Sequence, residues 1–295
     1  LFRQQGLNPK KVKTICTGIS GASASIKQIT TMEMPSDELE AAMTFEARKH
    51  IPMDGTDAVI DFQILGSNQR EVDKIDVGLV ACTKGVLTSH MDLLKECGLK
   101  PGVVDTYPIA MSNAFTFIKT MPDDGLVVIL DIGAVSSSLV VYGSGEQFFT
   151  RDLPIGGHHF VKELSDRKEI SYTEAQDVLY KDGLAASISN STDAPLTSVG
   201  IAERTIYDNL VEDLRRSLRF YAKQTGQSFF LKIFLSGGGA ETPGLTEFVS
   251  SKLNIECDLF DPFENVNGGE NISVNNKSQY TIALGLGIRG GMANE

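Results

Sequence analysis

The stretch Leu126-Val-Val-Ile-Leu-Asp-Ile-Gly-Ala-Val-Ser-Ser-Ser-Leu-Val-Val-Tyr142 constrains this chain more than any other. Two apolar runs of strand type flank a turn of glycine and serine, the pattern of a buried hairpin. Downstream, Leu231 to Leu235 is a second buried strand that enters Ser236-Gly237-Gly238-Gly239, and Thr246 to Leu253 reads as a helix. Strands that end in glycine turns, with helices between them, predict an α/β chain of two lobes with glycine turns facing a cleft.

The 295 residues suffice for two domains, and 41% hydrophobic with 22% charged residues gives enough apolar surface to bury a core. In the first half, Val12 to Ile29 suggests two short strands around Gly18–Gly21. Met34-Pro35-Ser36-Asp37-Glu38 starts a helix with Ser36 as N-cap, acids in the first turn and Leu39, Met43 and Ala47 every four residues, ended by Ile51-Pro52. Val59 to Leu65 and Lys74 to Cys82 are strand-like. Leu87, Met91 and Leu94 form the apolar stripe of a helix stopped by Gly98 and Pro101. In the second half, Ser171 and Glu174 match a capping box. Residues 183–200 read as a surface loop, and Ile206, Leu210, Leu214, Leu218 and Tyr221 mark a long helix with Arg215, Arg216, Arg219 and Lys223 on its other faces.

Charge narrows the function classes. Lys and Arg total 27 against 38 Asp and Glu, a net charge of −11, which disfavours non-specific nucleic-acid binding. Four cysteines, Cys16, Cys82, Cys97 and Cys257, lie far apart with no metal-ligand spacing, so they read as reduced thiols of a cytoplasmic protein. No apolar run approaches the ~18 residues of a membrane span. The opening Leu1-Phe-Arg-Gln-Gln-Gly-Leu-Asn-Pro9 reads as a helix end running into a turn, the expectation for a chain shortened at its N-terminus.

Asp131-Ile-Gly133-Ala-Val-Ser136-Ser137-Ser138 can carry chemistry. Gly133 permits a tight turn, the following amides and hydroxyls can face phosphate oxygens, and Asp131 can hold Mg²⁺ through water. An ordinary hairpin whose serines bond their own backbone accounts for the same residues. Gly237-Gly238-Gly239 lets a backbone approach a flat or phosphorylated ligand, or simply joins a strand to a helix tightly. Taken singly, neither motif decides.

Their order does. The hairpin is followed by Phe149-Thr-Arg-Asp-Leu-Pro-Ile-Gly-Gly-His-His-Phe160, Ile170-Ser-Tyr-Thr-Glu-Ala-Gln176, Asp213-Leu-Arg-Arg-Ser-Leu-Arg-Phe-Tyr221, Leu235-Ser-Gly-Gly-Gly-Ala-Glu-Thr-Pro-Gly-Leu245 and Ala283-Leu-Gly-Leu-Gly-Ile-Arg-Gly290. With Met34-Pro35, Phe45-Glu46-Ala47, Ile51-Pro52 and Val59-Ile-Asp61-Phe62-Gln63, this set resembles PilM, the type IV pilus assembly family of the actin-like ATPase superfamily, related to FtsA. The resemblance spans essentially the whole chain.

It implies an actin-like (ribonuclease H-like) two-lobe α/β fold whose N-terminal hairpin is missing here. Residues 1–122 would be the first lobe, with an inserted small α+β subdomain near 12–85. Residues 123–295 would be the second, with its nucleotide-binding core at 123–160 and 231–295 and a helical subdomain at 161–230. It implies ATP or ADP with Mg²⁺ as ligand. Asp131, Gly133, Ser136 and Ser137 would be the second phosphate loop, with Asp131 toward the metal. Gly237, Gly238 and Gly239 would form the adenosine turn, with Asp213 and Arg216 near ribose and base; a surface ion pair accounts equally for those last two.

Three departures bear on mechanism. The family's first phosphate loop lies upstream of Leu1. The second carboxylate of hydrolytic relatives falls at Ser138, which is no acid or base near neutral pH. Tyr107 stands where those relatives often orient the attacking water with an acidic or amide side chain. The expectation is therefore weak nucleotide binding with slow or absent hydrolysis. The implied role is a cytoplasmic scaffold, peripheral at the inner membrane through the N-terminal cytoplasmic tail of a PilN-like protein, alongside other pilus assembly proteins and without direct membrane insertion. The alternatives are an FtsA-like division protein, whose C-terminal membrane helix finds no match in Arg289 to Glu295, and a small-molecule kinase of the same superfamily.

Overall fold

A computed structural model describes residues 4, 6, 8, 11–20, 24–50, 57–68, 70–188 and 204–292. The chain divides into two compact units, Leu1–Phe117 with Gln147–Thr150 and Ile282–Glu295, and Ile118–Glu146 with Arg151–Thr281.

The first unit contains two sheets. Strand β1 (Cys16–Ile19) pairs in parallel with a later strand, so the expected turn at Gly18 lies inside a strand instead, and Gly21 falls outside the described residues. Strand β2 (Ala24–Met32) precedes helix α1 (Ser36–His50), whose first turn carries Asp37 and Glu38. The Leu39 N–H donates to Pro35 O at 2.9 Å. Pro35 therefore occupies the cap position expected for Ser36, because the carbonyl that accepts the first helical bond belongs to the cap residue. Strands β3 (Ala58–Ser67) and β4 (Lys74–Thr83) complete a three-stranded antiparallel sheet in the order β2-β4-β3.

Strand β4 alternates, with Ile75, Val77, Leu79 and Ala81 buried on one face. That face packs with Leu39, Met43 and Ala47 of α1, so the 3.6-residue and 2-residue periods meet at one core. Burying each large side chain here stabilises by roughly 1.5–3 kcal/mol.

Helix α2 (Lys84–Glu96) is capped by Thr83, whose hydroxyl accepts the Val86 N–H. Its expected apolar stripe is present but no residue of the helix is fully buried, and Leu93 is 58% exposed. Strand β5 (Val103–Thr106) pairs with β1 and leads into α3 (Tyr107–Ile118), where Ala110, Met111, Ala114 and Phe115 are buried.

The second unit is built on strands β6 (Leu126–Ile132), β7 (Ser137–Tyr142) and β8 (Phe149–Leu153, of which Arg151–Leu153 belong to this unit), helices α4 (Gly157–Lys168), α5 (Tyr172–Asp182), α6 (Ala185–Ile188) and α7 (Ile206–Thr225), then β9 (Phe230–Ser236), α8 (Leu245–Leu253) and β10 (Glu256–Leu259). Its sheet runs β10-β9-β6-β7-β8. Strand β6 lies at the centre, antiparallel to β7 and parallel to β9, and every one of its residues is buried. A strand covered on both faces has no polar side to show, hence an unbroken apolar run rather than alternation.

Helix α7 is capped at both ends. Thr205 accepts the Asp208 N–H while Asp208 reaches back to Thr205, and Gly226 closes the helix with φ 78°. Its buried stripe is Tyr207, Leu210, Leu214, Leu218 and Tyr221. The region expected to be a loop from 183 begins differently: Leu184, Ala186 and Ser187 are buried and α6 forms there, because Gly183 turns the chain inward against Pro243 O. Residues 189–203 of that expected loop lie outside the described residues. Helix α9 (Thr281–Met292) is the last element among the described residues.

Candidate functional site

Three glycine-bearing segments of the second unit converge at one end of its sheet. The first is the Gly133–Ser136 turn of the β6–β7 hairpin, closed by the Gly133 N–H donating to Ser136 O at 3.0 Å. The second is Ile155-Gly156-Gly157 at the start of α4. The Gly157 N–H donates to Gly133 O at 2.9 Å and the His158 N–H to Ala134 O at 2.8 Å, so the helix start is laced to the hairpin turn. The third is Gly237-Gly238-Gly239 after β9, tied down by the Gly239 N–H to Ile132 O at 2.8 Å and the Gly237 N–H to Ser278 O at 3.1 Å.

The glycines are required by closeness. A Cβ on Gly156 would sit 2.7 Å from both Gly133 O and Ser136 N, and one on Gly239 would sit 2.6 Å from Ile132 Cγ2. Gly237 adopts φ +83°, which favours glycine, and its Cβ would meet Ile132 O at 2.6 Å. Gly157 and Gly239 face each other, since a Cβ on the former would lie 3.6 Å from Gly239 Cα.

What this geometry leaves open is chemically specific. Among the described residues, the N–H groups of Ala134, Val135, Ser136 and Gly238 find no acceptor within the chain. Ala134, Val135, Ser136 and Gly238 are exposed. Successive unpaired backbone donors in a turn beside a helix N-terminus favour an anion with several acceptor oxygens.

Asp131 stands behind them at the end of β6, 8% exposed, accepting from Ser236 Oγ at 3.1 Å. Burial pushes its carboxyl from 3.8 up to about 6, partly opposed by the Ser236 bond. A carboxylate whose folded pKa exceeds its unfolded one binds more protons when folded, so stability is lost as pH rises from about 4 to about 6. At neutral pH the buried charge costs about 3 kcal/mol. Asp131→Asn is therefore expected to raise the melting temperature at pH 7 and to flatten its pH dependence between 4 and 7. Calorimetry across that range checks both; an Asp131→Asn protein less stable than the parent at pH 7 would contradict them. A divalent cation held through water by Asp131 fits this arrangement, because it would supply the positive charge the site lacks.

The remaining residues named from sequence divide. Ser136 lies at the exposed tip. Ser137 is buried and its Oγ donates to Ile155 O at 2.6 Å, so its hydroxyl proton shapes the loop instead of facing a ligand. Asp213 and Arg216 of α7 pair with each other at 2.9 Å, with the Arg216 side chain 64% exposed; such a pair contributes at most about 1 kcal/mol. Tyr107 belongs to the first unit, where its ring lies against Gly18: a Cβ there would be 2.8 Å from the Tyr107 ring. Sequence reasoning left out Gly156 and Gly157 as site residues, although the Gly-Gly pair before a helix was a signal. It also left out Asn276, whose amide donates to Gly238 O at 3.0 Å and for which no local signal exists.

Comparison with known proteins decides the family. The sequence model described as Type IV pilus assembly protein PilM matches residues 4–291. The chain belongs to the PilM family. Among solved structures, a chain of a PilM-PilN type IV pilus biogenesis complex superposes with a TM-score of 0.74 at 24% identity, covering 93% of this chain and 79% of that one. The fold is accordingly actin-like. The cell division protein FtsA of Staphylococcus epidermidis (strain ATCC 12228 / FDA PCI 1200) is 22% identical over 205 residues, covering 64% of this chain and 43% of its own length. FtsA of Bacillus subtilis (strain 168) is 23% identical over 217 residues, covering 70% and 48%. This PilM-family chain spans about half the length of the curated relatives it matches. Among its described residues no helix is long and apolar enough to cross a membrane, and no group of three His, Cys, Asp or Glu side chains could hold a metal ion.

Proposed function

We propose that this PilM-family protein is a nucleotide-binding scaffold of type IV pilus assembly, working at the cytoplasmic face of the inner membrane. The observation that carries the nucleotide reading is the convergence of three glycine turns with four unpaired N–H groups in front of a buried Asp131. The Gly133–Ser136 turn would cradle phosphate oxygens, Gly238 would lie against the nucleoside, and Asp131 would hold Mg²⁺ through water. Mg²⁺ would neutralise phosphate charge; the chain's part is to orient the phosphates. Ser138 supplies no acid or base of its own, which supports binding with slow or absent hydrolysis.

The partner we assign is the N-terminal cytoplasmic tail of a PilN-like inner-membrane protein. Family membership supports it, as does the likeness to a chain of a PilM-PilN complex. Residues 1–120 carry 13 basic and 14 acidic side chains, so charge has little to offer a tail there. The half-open face of α2, with Val86, Leu87, Met91 and Leu94 partly buried and Leu93 exposed, offers apolar anchorage instead.

Titrating a labelled tail peptide into the full chain tests this. Affinity is expected to change less than about threefold between 50 and 500 mM NaCl, and to fall by about tenfold in Leu93→Asp. Loss of binding at moderate salt, or a Leu93→Asp protein that binds like the parent, would overturn the assignment.

A further inference from the structure

Ser138, the ladder partner of Asp131 on β7, has a carboxylate beside it. Ser138 Oγ donates to Asp152 Oδ1 at 2.8 Å, from β7 to the neighbouring β8. The register places this pair in a row. Ser236 is the ladder partner of Asp131 across β9 and β6, and Ser138 is its partner across β6 and β7. Directly opposed residues share a face of a sheet. Ser236, Asp131, Ser138 and Asp152 thus form one transverse polar row over four adjacent strands, linked at one end by the Ser236–Asp131 bond and at the other by the Ser138–Asp152 bond. The row borders both the Gly133–Ser136 turn and the Gly237–Gly239 turn, and Asp152 lies four residues before Gly156.

We infer that Asp152, acting through Ser138, is a positioning residue of the nucleotide site that supplies its second negative charge. The inference rests on the nucleotide reading above. By taking the Ser138 proton in a hydrogen bond, Asp152 leaves the Ser138 lone pairs to accept from a metal-bound water. Two strand spacings put the two carboxylates roughly 10 Å apart at their backbones, a separation that suits a hydrated divalent cation between them. Asp131 is buried, whereas Asp152 is exposed. The outer group would add attraction for a cation that the inner one would hold through water. Loss of the outer charge should weaken the metal dependence of binding and leave metal-free binding alone.

The test is a Mg²⁺ titration of the full chain with fluorescent ADP at fixed concentration, repeated in EDTA. Asp152→Asn keeps an acceptor for Ser138 and removes the charge. It is expected to raise the Mg²⁺ midpoint about threefold or more, with ADP affinity in EDTA and melting temperature unchanged. Adding Ser138→Asp to Asp152→Asn returns a charge to the row and is expected to bring the midpoint back toward that of the parent.

An Mg²⁺ midpoint unchanged in Asp152→Asn overturns the inference while the nucleotide site stands. So does an equal loss of affinity with and without metal, the mark of a purely structural residue. A parent protein that binds no nucleotide under any condition removes the nucleotide reading itself, and the role of Asp152 with it.

Discussion

Alanine at Gly285 is expected to destabilise the first unit by about 3 kcal/mol, while alanine at Gly287, on another face of the same helix, is expected to stabilise it by up to about 1 kcal/mol. A Cβ on Gly285 would lie 1.8 Å from Ala110 O and 2.5 Å from Ala110 C. Both are backbone atoms of α3, so no rotamer change relieves the overlap, and α9 must move bodily away from its neighbour. Overpacking of a well-filled interior usually costs about 1–3 kcal/mol, and a clash with backbone belongs at the upper end. Gly287 meets nothing within 4 Å, so an added methyl there brings only the helix propensity of alanine. Urea denaturation of the two variants should give midpoints on opposite sides of the parent. Equal midpoints would show that α3 and α9 do not approach so closely.

Nucleotide binding is expected to fall by at least about tenfold in Gly156→Ala and in Gly238→Ala, for different reasons that a melting curve separates. At Gly156 the new methyl would strike Gly133 O and Ser136 N at 2.7 Å. The hairpin turn must retreat from α4, so the N–H groups of Ala134 to Ser136 lose their aim, and the melting temperature drops as well. At Gly238 a Cβ meets no atom within 4 Å, and the residue is not among those with positive φ. The fold should therefore melt unchanged. A methyl there can weaken binding only by occupying space that the ligand needs. A Gly238→Ala protein with the parent's affinity would show that no ligand rests on this turn, however the Gly156 variant behaves.

Much of the second unit is legible in the chain's local pattern. The Leu126–Tyr142 hairpin, the strand entering Ser236-Gly237-Gly238-Gly239 and the Ser171–Glu174 cap all form where that pattern puts them. In each case the signal is short-range: an apolar run, a glycine turn, or a hydroxyl three residues from a carboxylate. Local pattern misleads where a residue's role depends on a partner far along the chain. Gly18 resembles a turn residue because glycine marks turns, but it lies in β1 where the Tyr107 ring leaves no room for a side chain. Residues 184–187 have the composition of a solvent-exposed loop, yet packing beyond Gly183 buries Leu184, Ala186 and Ser187. The Leu87, Met91 and Leu94 stripe of α2 has the spacing of a core face, and the unit leaves it half open.

By itself, then, the sequence determined the α/β class, the strands and helices with the strongest local signals, and the family, because apolar period, caps and glycine turns act over a few residues and survive in a one-dimensional pattern. Tertiary structure decided which groups meet at the site. Ser137 and Ser138 are adjacent and chemically alike, but β-sheet alternation turns one inward to Ile155 and the other to Asp152. Asp131 gains Ser236 from 105 residues away through strand register alone. A hydrogen bond a few ångströms long is set by the packing of whole strands and helices, and that packing is written in no local stretch of the chain.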